Sequence, residues 1–262
     1  MSRNKKLLYT ILCSGIFLVG CMAYTIHKSN AFPKEYEPYI FPYFQDSDDT
    51  LRIAYIGDSW ANMHERHNCQ IPKIISDSLH LPVEVYSFGI GGRTSKEIYE
   101  DFFRNSKLNN FLKNRRYDYY FISLGINDAY KKKKLSYYQQ SMFYIIKFFI
   151  ANNVCPIILE IPEFDIGYSY ETLDFPRKFI YGAAMIFNGL RYDSKQQYRD
   201  ALDEMIIKEG LSDKVKIIRY KTWNKYGNED WDNLYSDDRM HLNEMGYAKL
   251  DSCIAITCIQ LE

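Results

Sequence analysis

The chain has 262 residues, of which 47% are apolar and 25% are charged, and 33 basic residues balance 33 acidic ones. This length suits one sizeable domain, and the composition excludes a disordered tail. The balanced charge argues against a protein that nucleic acid attracts through bulk charge. We therefore expect one enzyme-sized domain without a nucleic-acid partner.

Residues 1–28 differ in composition from the rest of the chain. Arg3, Lys5 and Lys6 precede about twenty residues without a charge, which is typical of a secretory signal or a membrane anchor. Within this run, LVGC at residues 18–21 resembles a bacterial lipobox, in which cleavage before the cysteine allows a lipid to be attached to Cys21. An uncleaved transmembrane helix is the alternative, because the run continues to Ile26. Both interpretations predict an exported, membrane-tethered protein with its domain outside the cytoplasm.

A proline- and acid-containing linker is predicted at residues 29–50, and strand-like and helical patterns alternate after it. The predicted strands are 51–57, 83–88, 117–124, 155–161 and 215–220, and the predicted helices are 69–80, 95–114, 136–152 and 243–259. Continuous apolar strands separated by helix-length segments predict a parallel sheet of about five strands, covered on both faces, within residues 51–262. Such a sheet collects functional loops at the carboxyl ends of its strands.

Residues 162–192 interrupt this alternation. The segment is rich in tyrosine and phenylalanine, contains Glu163 and Asp165, and has no clean hydrophobic period. Connections of this length are usually lids or binding loops. We therefore predict a lid-like insertion here, with Glu163 as a candidate substrate contact.

The residues needed for serine chemistry lie at the predicted strand ends. A serine hydroxyl requires a base, a group that orients the base, and donors that stabilise an oxyanion. Ser59 follows the first strand, Gly92 the second and Asn127 the third. Of the five histidines, only His241 has a carboxylate, Asp238, three residues before it in a polar loop. That spacing lets one turn of chain present both side chains to the same cleft.

These segments resemble the four sequence blocks of the SGNH, or GDSL, hydrolase family. The blocks are GDS at 57–59, FGIGGRT at 88–94, GIND at 125–128 and DRMHL at 238–242, in family order over residues 51–259. The resemblance implies a flavodoxin-like, three-layer α/β/α sandwich that hydrolyses esters through an acyl-serine, with no cofactor. It also implies roles for individual residues: Ser59 as the nucleophile, His241 as the general base and Asp238 as its orienter, with oxyanion donors from the Ser59 and Gly92 amides and the Asn127 side chain.

Two positions depart from the family pattern. Ser87 stands where the second block often begins with asparagine, and Trp60 stands where a smaller or aliphatic residue is frequent. Trp60 either narrows the site, as a substrate contact, or packs beneath it. Asp58 and Asp128 are expected to fix loops as hydrogen-bond acceptors.

Neighbouring residues compete for two of the roles. Asp237 competes with Asp238 as the orienter, and the spacing to His241 favours Asp238. Gly91 competes with Gly92 as the oxyanion donor, with a smaller preference for Gly92.

Two further clusters invite functional interpretations. His64, His67 and Cys69 crowd into six residues, but only the first two share a helical face and no matching ligand pair follows, so no metal site is predicted. The basic run at residues 131–134 follows the Asn127 loop, and we interpret it as a rim that attracts an anionic glycan or lipid headgroup.

The sequence thus predicts a serine esterase that removes O-acyl groups, in particular O-acetyl groups, from a carbohydrate. Its expected partners are an acylated small molecule or glycan and, through the N-terminus, a membrane. Three alternatives remain open: a glycan O-acyltransferase, a lipase or lysophospholipase, and a catalytically inactive glycan-binding module.

Overall fold

The computed structural model describes residues 3–41, 48–64, 66–104, 106–224 and 231–262. The predicted linker at residues 29–50 therefore lies partly outside the described residues, at positions 42–47. It follows a single long helix, α1 (Arg3–Ser29), and precedes the first strand.

The described residues form one parallel sheet of five strands in the order β2-β1-β3-β4-β5. The strands are β1 Leu51–Gly57, β2 Val83–Gly89, β3 Tyr119–Ser123, β4 Ile157–Leu159 and β5 Lys216–Ile218. All five lie where the sequence predicted strands, although β3, β4 and β5 are shorter than predicted. Every residue of β1 is buried, as expected for a central strand covered on both faces.

Helices cover both faces of the sheet, which confirms the predicted α/β/α sandwich. After α1 they are α2 Ser59–His64, α3 Ile71–Leu79, α4 Ser95–Asp101, α5 Lys107–Asn114, α6 Ile126–Tyr130, α7 Leu135–Ala151, α8 Ile166–Glu171, α9 Phe175–Phe187, α10 Lys195–Lys208, α11 Trp231–Leu234 and α12 Glu244–Leu261. Helix α12 packs against α3, whereas α7 packs against α4 and α10. Right-handed crossovers from this strand order put these two groups on opposite faces.

The strand register aligns the carboxyl ends of the strands. Gly57 pairs with Gly89 on one side and with Ser123 on the other, and Ser123 pairs with Leu159, which pairs with Ile218. The loops that follow these five residues therefore start from one line across the sheet, so their side chains can meet at a common edge.

Residues 162–192 contain two helices, α8 and α9, rather than an irregular loop. Each begins at an aspartate N-cap: Asp165 accepts a hydrogen bond from the Tyr168 amide, and Asp174 accepts one from the Arg177 amide. Helix α10, which the hydrophobic pattern did not predict, follows directly. That this segment acts as a lid remains a prediction.

Helix α1 carries an apolar stretch, Tyr9–Ser29, that is long enough and apolar enough to cross a membrane. Only 6% of its most apolar window is buried against the rest of the protein. A signal sequence near an N-terminus has the same properties, so α1 is compatible with either an anchor or a signal.

Candidate active site

Ser59 is the first residue of α2 and follows β1 directly through Gly57 and Asp58. A Cβ at Gly57 would lie 2.4 Å from the Ser123 carbonyl oxygen, so glycine is required for β1 to approach β3 this closely. The Asp58 amide donates to that carbonyl at 3.3 Å, and the Ile90 amide donates to the Gly57 carbonyl at 3.1 Å. The turn is thus fixed to both neighbouring strand ends, with Ser59 at the edge of the sheet.

His241 joins Ser59 to Asp238 through two hydrogen bonds. Its Nε2 lies 2.8 Å from Ser59 Oγ, and its Nδ1 lies 2.5 Å from Asp238 Oδ2. Burial raises the pKa of Asp238, but hydrogen bonds from the His241 ring and from the His241 and Met240 amides outweigh it and lower the pKa to about 2. An ionised Asp238 can only accept, so Nδ1 carries the proton and the Nε2 lone pair accepts the Ser59 hydroxyl. This is the tautomer that a general base requires.

The loop that carries His241 is held in shape by local hydrogen bonds. Asp238 Oδ1 accepts the amides of Met240 at 3.0 Å and His241 at 2.9 Å, and the Ser236 amide donates to the His241 carbonyl at 2.8 Å. This arrangement presents Asp238, rather than its neighbour Asp237, to the imidazole.

Trp60 packs beneath the site, so the suggestion that it contacts substrate is wrong. Its side chain is 1% exposed, and its Nε1 donates to the Met240 carbonyl at 3.1 Å. Its ring meets that of Trp223 edge-on, with the centroids 5.9 Å apart. Trp60 therefore supports the loop that carries His241 instead of lining the cleft.

Glu163 forms two ion pairs within the protein. Its Oε1 lies 2.8 Å from Arg199 Nη1 and its Oε2 lies 3.3 Å from Lys195 Nζ. Both cations belong to α10 and are themselves buried. The carboxylate thus pairs with two buried cations and fixes α10 to the segment after β4. A contact between Glu163 and substrate stays a prediction.

Asp58 and Asp128 fix the loops around the site. Asp58 Oδ1 accepts the Trp60 amide at 3.1 Å, and Asp58 Oδ2 accepts the Asn127 side-chain amide at 3.1 Å. Asp128 accepts the amide and the hydroxyl of Ser95 at 2.9 and 2.8 Å. Burial raises the pKa of Asp58 to about 7 and that of Asp128 to about 6.

The loop after β2 lies against the nucleophile. A Cβ at Gly91 would lie 3.9 Å from Ser59 Cβ, and Gly92 has a left-handed φ of 74° that favours glycine. The Lys131 ammonium donates to the Gly92 carbonyl at 2.5 Å. Gly91 is therefore close to Ser59, and one residue of the basic run reaches the same loop at Gly92.

The rest of the basic run does not form a uniform cationic rim. Lys132 is buried and donates to the Arg191 carbonyl at 3.3 Å and to Ser194 Oγ at 3.1 Å. Burial lowers the pKa of Lys132 to about 8. The Lys132 ammonium therefore holds the chain after α9 and does not face solvent. This corrects the interpretation of residues 131–134 as a single anion-attracting surface.

A second set of serine, histidine and aspartate side chains lies beside α2. His64 Nδ1 is 2.8 Å from Ser87 Oγ, and His64 Nε2 is 2.6 Å from Asp251 Oδ1. His64, Asp251 and Cys69 offer ligand atoms within 4.8 Å of one another. Two ligands of one tetrahedral zinc ion lie about 3.3 Å apart, as bond lengths near 2.0–2.1 Å require. The shorter His64–Asp251 contact is a direct hydrogen bond, and we interpret the set as a structural network.

Comparison with known protein families gives one match. The GDSL-like Lipase/Acylhydrolase family matches residues 55–249, from β1 into α12. The chain belongs to this family. It therefore carries an SGNH/GDSL esterase or acylhydrolase domain, and the family resemblance read from the four blocks is confirmed.

Solved structures with the same fold include several members of the GDSL-like family. An acetyl xylan esterase has a TM-score of 0.55 at 14% identity, covering 79% of this chain and 99% of its own. A family 3 carbohydrate esterase from Clostridium thermocellum has a TM-score of 0.54 at 16% identity, covering 81% and 96%. A lipase/acylhydrolase from Enterococcus faecalis has a TM-score of 0.53 at 16% identity, covering 79% and 94%. None of the curated proteins matches the chain significantly.

Sequence reasoning missed most of the residues that support this GDSL-like site. The partners of Glu163, which are Lys195 and Arg199, lie on a helix whose charged buried positions hide its apolar period. Ser95, the partner of Asp128, could have been found, because Thr94 and Glu97 form a capping box that marks the start of α4.

The support that Trp60 gives to the His241 loop can be tested with Trp60→Phe. This change keeps an aromatic side chain, although a smaller one, and leaves the Met240 carbonyl without its donor, which costs about 1–3 kcal/mol of unfolding free energy. We expect kcat to fall roughly tenfold with little change in KM, because a shifted His241 loop impairs chemistry more than binding. Steady-state kinetics on p-nitrophenyl acetate measures this. Trp223→Phe is the matched control, and an equal effect of both changes would contradict a specific role for Trp60.

The raised pKa of Asp128 predicts a pH-dependent stability. A native pKa of about 6, above the ordinary 3.8, means that the folded state binds the proton more tightly. The free energy of unfolding should therefore fall as the pH rises from 4 through 6. Asp128→Asn can keep both contacts with Ser95 while removing this titration, so its unfolding should be less pH-dependent by on the order of 1–3 kcal/mol.

Urea unfolding of the full chain in detergent between pH 4 and pH 8 measures this difference. Asp58→Asn is the contrasting variant: both oxygens of Asp58 accept N–H donors, so an amide nitrogen there would face a donor and destabilise the fold at every pH. A pH slope of Asp128→Asn equal to that of the parent would refute the assignment.

Proposed function

We propose that Ser59, His241 and Asp238 form the catalytic triad and that the enzyme removes O-acetyl groups from a carbohydrate. The observation that carries this proposal is the continuous hydrogen-bonded chain from Ser59 Oγ through the His241 ring to the ionised Asp238. Ser59 begins α2 directly after β1, and Asp238 and His241 lie in the loop before α12.

In the proposed reaction, His241 Nε2 removes the hydroxyl proton as Ser59 Oγ attacks the ester carbonyl. The resulting oxyanion is stabilised by the amides of Ser59 and Gly92 and by the side-chain amide of Asn127. One N–H of Asn127 is bonded to Asp58, which orients the group and leaves its second N–H for the oxyanion. His241 then protonates the leaving alcohol, and water releases acetate from the acyl-serine with His241 again as base.

Two observations support a small acyl group on a carbohydrate. The loop of Gly91 lies against Ser59, which restricts the space beside the nucleophile. Proteins with the same fold include an acetyl xylan esterase and a family 3 carbohydrate esterase. The transferase and the inactive binding module remain alternatives, and the intact triad disfavours the second.

A lipid ester is the second candidate substrate, favoured by the N-terminus. Helix α1 contains a stretch that could span a membrane, and we propose that it, or a lipid on Cys21, tethers the exported domain to a membrane surface. An enzyme held there would meet lysophospholipids and other lipid esters continuously.

Ser59→Ala should abolish hydrolysis of p-nitrophenyl acetate and labelling by a serine-directed fluorophosphonate. The chain offers a matched control in Ser87→Ala, because Ser87 also contacts a histidine that is paired with an aspartate. We expect Ser87→Ala to retain labelling. Unchanged turnover by Ser59→Ala would overturn the assignment of the nucleophile.

Asn127→Ala should lower kcat by on the order of a hundredfold or more with a smaller effect on KM, because an oxyanion donor acts mainly in the transition state. To identify the substrate, the full chain is incubated with acetylated glycans and with short- and long-chain lipid esters, and the released acid is measured. Faster release from long-chain lipid esters would favour the lipase alternative. Acylation of a glycan faster than release of free acid would favour the transferase.

A further inference from the structure

Helix α9 presents an apolar face to solvent. Phe175, Phe179 and Ile186 follow the spacing i, i+4 and i+11, which brings them onto one side of the helix, and Ile180 and Phe187 extend this side. All five are exposed, and four of them by more than half. Ala184 is the one buried residue of α9. An exposed apolar surface of this kind marks an interaction site.

The opposite side of α9 packs on the protein. Tyr181 contacts Tyr130 and Tyr170 with ring centroids 5.7 and 6.1 Å apart. The helix is therefore attached through the side that carries Tyr181. Its phenylalanine and isoleucine side faces solvent, and Phe187 at its end lines a groove beside α1. The two charged residues of α9, Arg177 and Lys178, are both basic and both exposed.

The end of α9 is joined to the end of α1. Asn30, which follows α1, donates to Asn188 Oδ1 at 3.3 Å and accepts the Lys134 amide at 2.8 Å. Asn188, which follows α9, donates in turn to the Lys132 carbonyl at 2.7 Å. A surface groove lined by Ala23, Ile26, Phe32 and Phe187 runs between the two helices. The apolar surfaces of α1 and α9 are thus continuous.

We propose that α9 lies in the interface of a lipid bilayer, beside the point where α1 leaves it. The continuity with α1 puts the apolar face at the level of the membrane surface, where it can enter the boundary between headgroups and acyl chains. Arg177 and Lys178 favour an anionic leaflet and can extend their charged ends to the headgroups. An uncleaved transmembrane α1 and a chain cleaved and lipidated at Cys21 both give this geometry, since residues 22–30 remain beside α9 in each case.

This inference goes beyond the proposed reaction and is tested without measuring activity. The full chain is reconstituted in vesicles of phosphatidylcholine and phosphatidylglycerol, with or without bromine on the acyl chains. Bromine quenches tryptophan fluorescence on contact. Phe179→Trp reports on the apolar face, and its exposed position accepts the larger ring without repacking. Ile186→Trp reports on the same face and serves if the first variant fails to fold.

Ile256→Trp is the matched control, because Ile256 is an exposed apolar residue of α12. Helix α12 lies on the sheet face opposite to α7 and α10. The three native tryptophans give the same background in every variant. We expect brominated lipid to quench the Phe179→Trp and Ile186→Trp signals several-fold more than the Ile256→Trp signal. Equal quenching at all three positions would overturn the proposal. So would a Phe179→Trp signal that is shielded from brominated lipid in a chain that crosslinks as a dimer, which would assign this face to a second copy.

Discussion

The close contact of the β1–α2 turn with the ends of β2 and β3 is the constraint on which the rest of the site depends. Gly57 allows the turn to touch the Ser123 carbonyl, and Gly89 allows β2 to approach α2, since a Cβ there would lie 2.2 Å from the Asp58 carbonyl oxygen and the Asn62 nitrogen. Without these approaches Asp58 could not reach Asn127, and the loop of Gly91 could not lie against Ser59. The lack of a side chain at Gly57 and Gly89 therefore lets the loops of Gly91 and Asn127 contact the β1–α2 turn that carries Ser59.

Much of the fold could be predicted because each central strand is a continuous apolar run. β1 matches its predicted bounds, since both faces of the sheet bury it. The region after β4 could not be predicted, for two physical reasons. Helix α10 buries Lys195 and Arg199 among its apolar positions, which breaks the period. Helix α9 exposes apolar residues on its outer side and packs Tyr181 and Ala184 on its inner side, so its two faces differ little in hydrophobicity.

A site residue could be predicted where its partner is close in the sequence, as Asp238 lies three residues before His241. It was not predictable where partners lie far apart, as Trp60 and Met240 do, because nothing local in the sequence links an indole to a carbonyl 180 residues away. A hydrogen-bonded set of serine, histidine and aspartate is also insufficient by itself to identify a catalytic site. Ser87, His64 and Asp251 also form such a chain, with the roles of the two ring nitrogens exchanged. His64, however, is 1% exposed, whereas the His241 side chain is 20% exposed. The set that we propose as catalytic differs from the structural set because substrate can reach the imidazole of His241 but not that of His64.

The helices after β4 connect the proposed membrane surface with the proposed catalytic loops. Tyr181 of α9 packs on Tyr130, the last residue of α6, which carries Asn127. Upstream, the Asp165 amide donates to the Arg239 carbonyl at 2.9 Å, and the Arg239 guanidinium lies over the Tyr168 ring of α8. Since α8 and α9 contact the loops of both Asn127 and His241, any force that a bilayer exerts on α9 acts close to the proposed oxyanion donor and the proposed general base. Membrane attachment in this geometry would therefore do more than concentrate the enzyme at a surface, because it would also fix the orientation of the cleft relative to that surface.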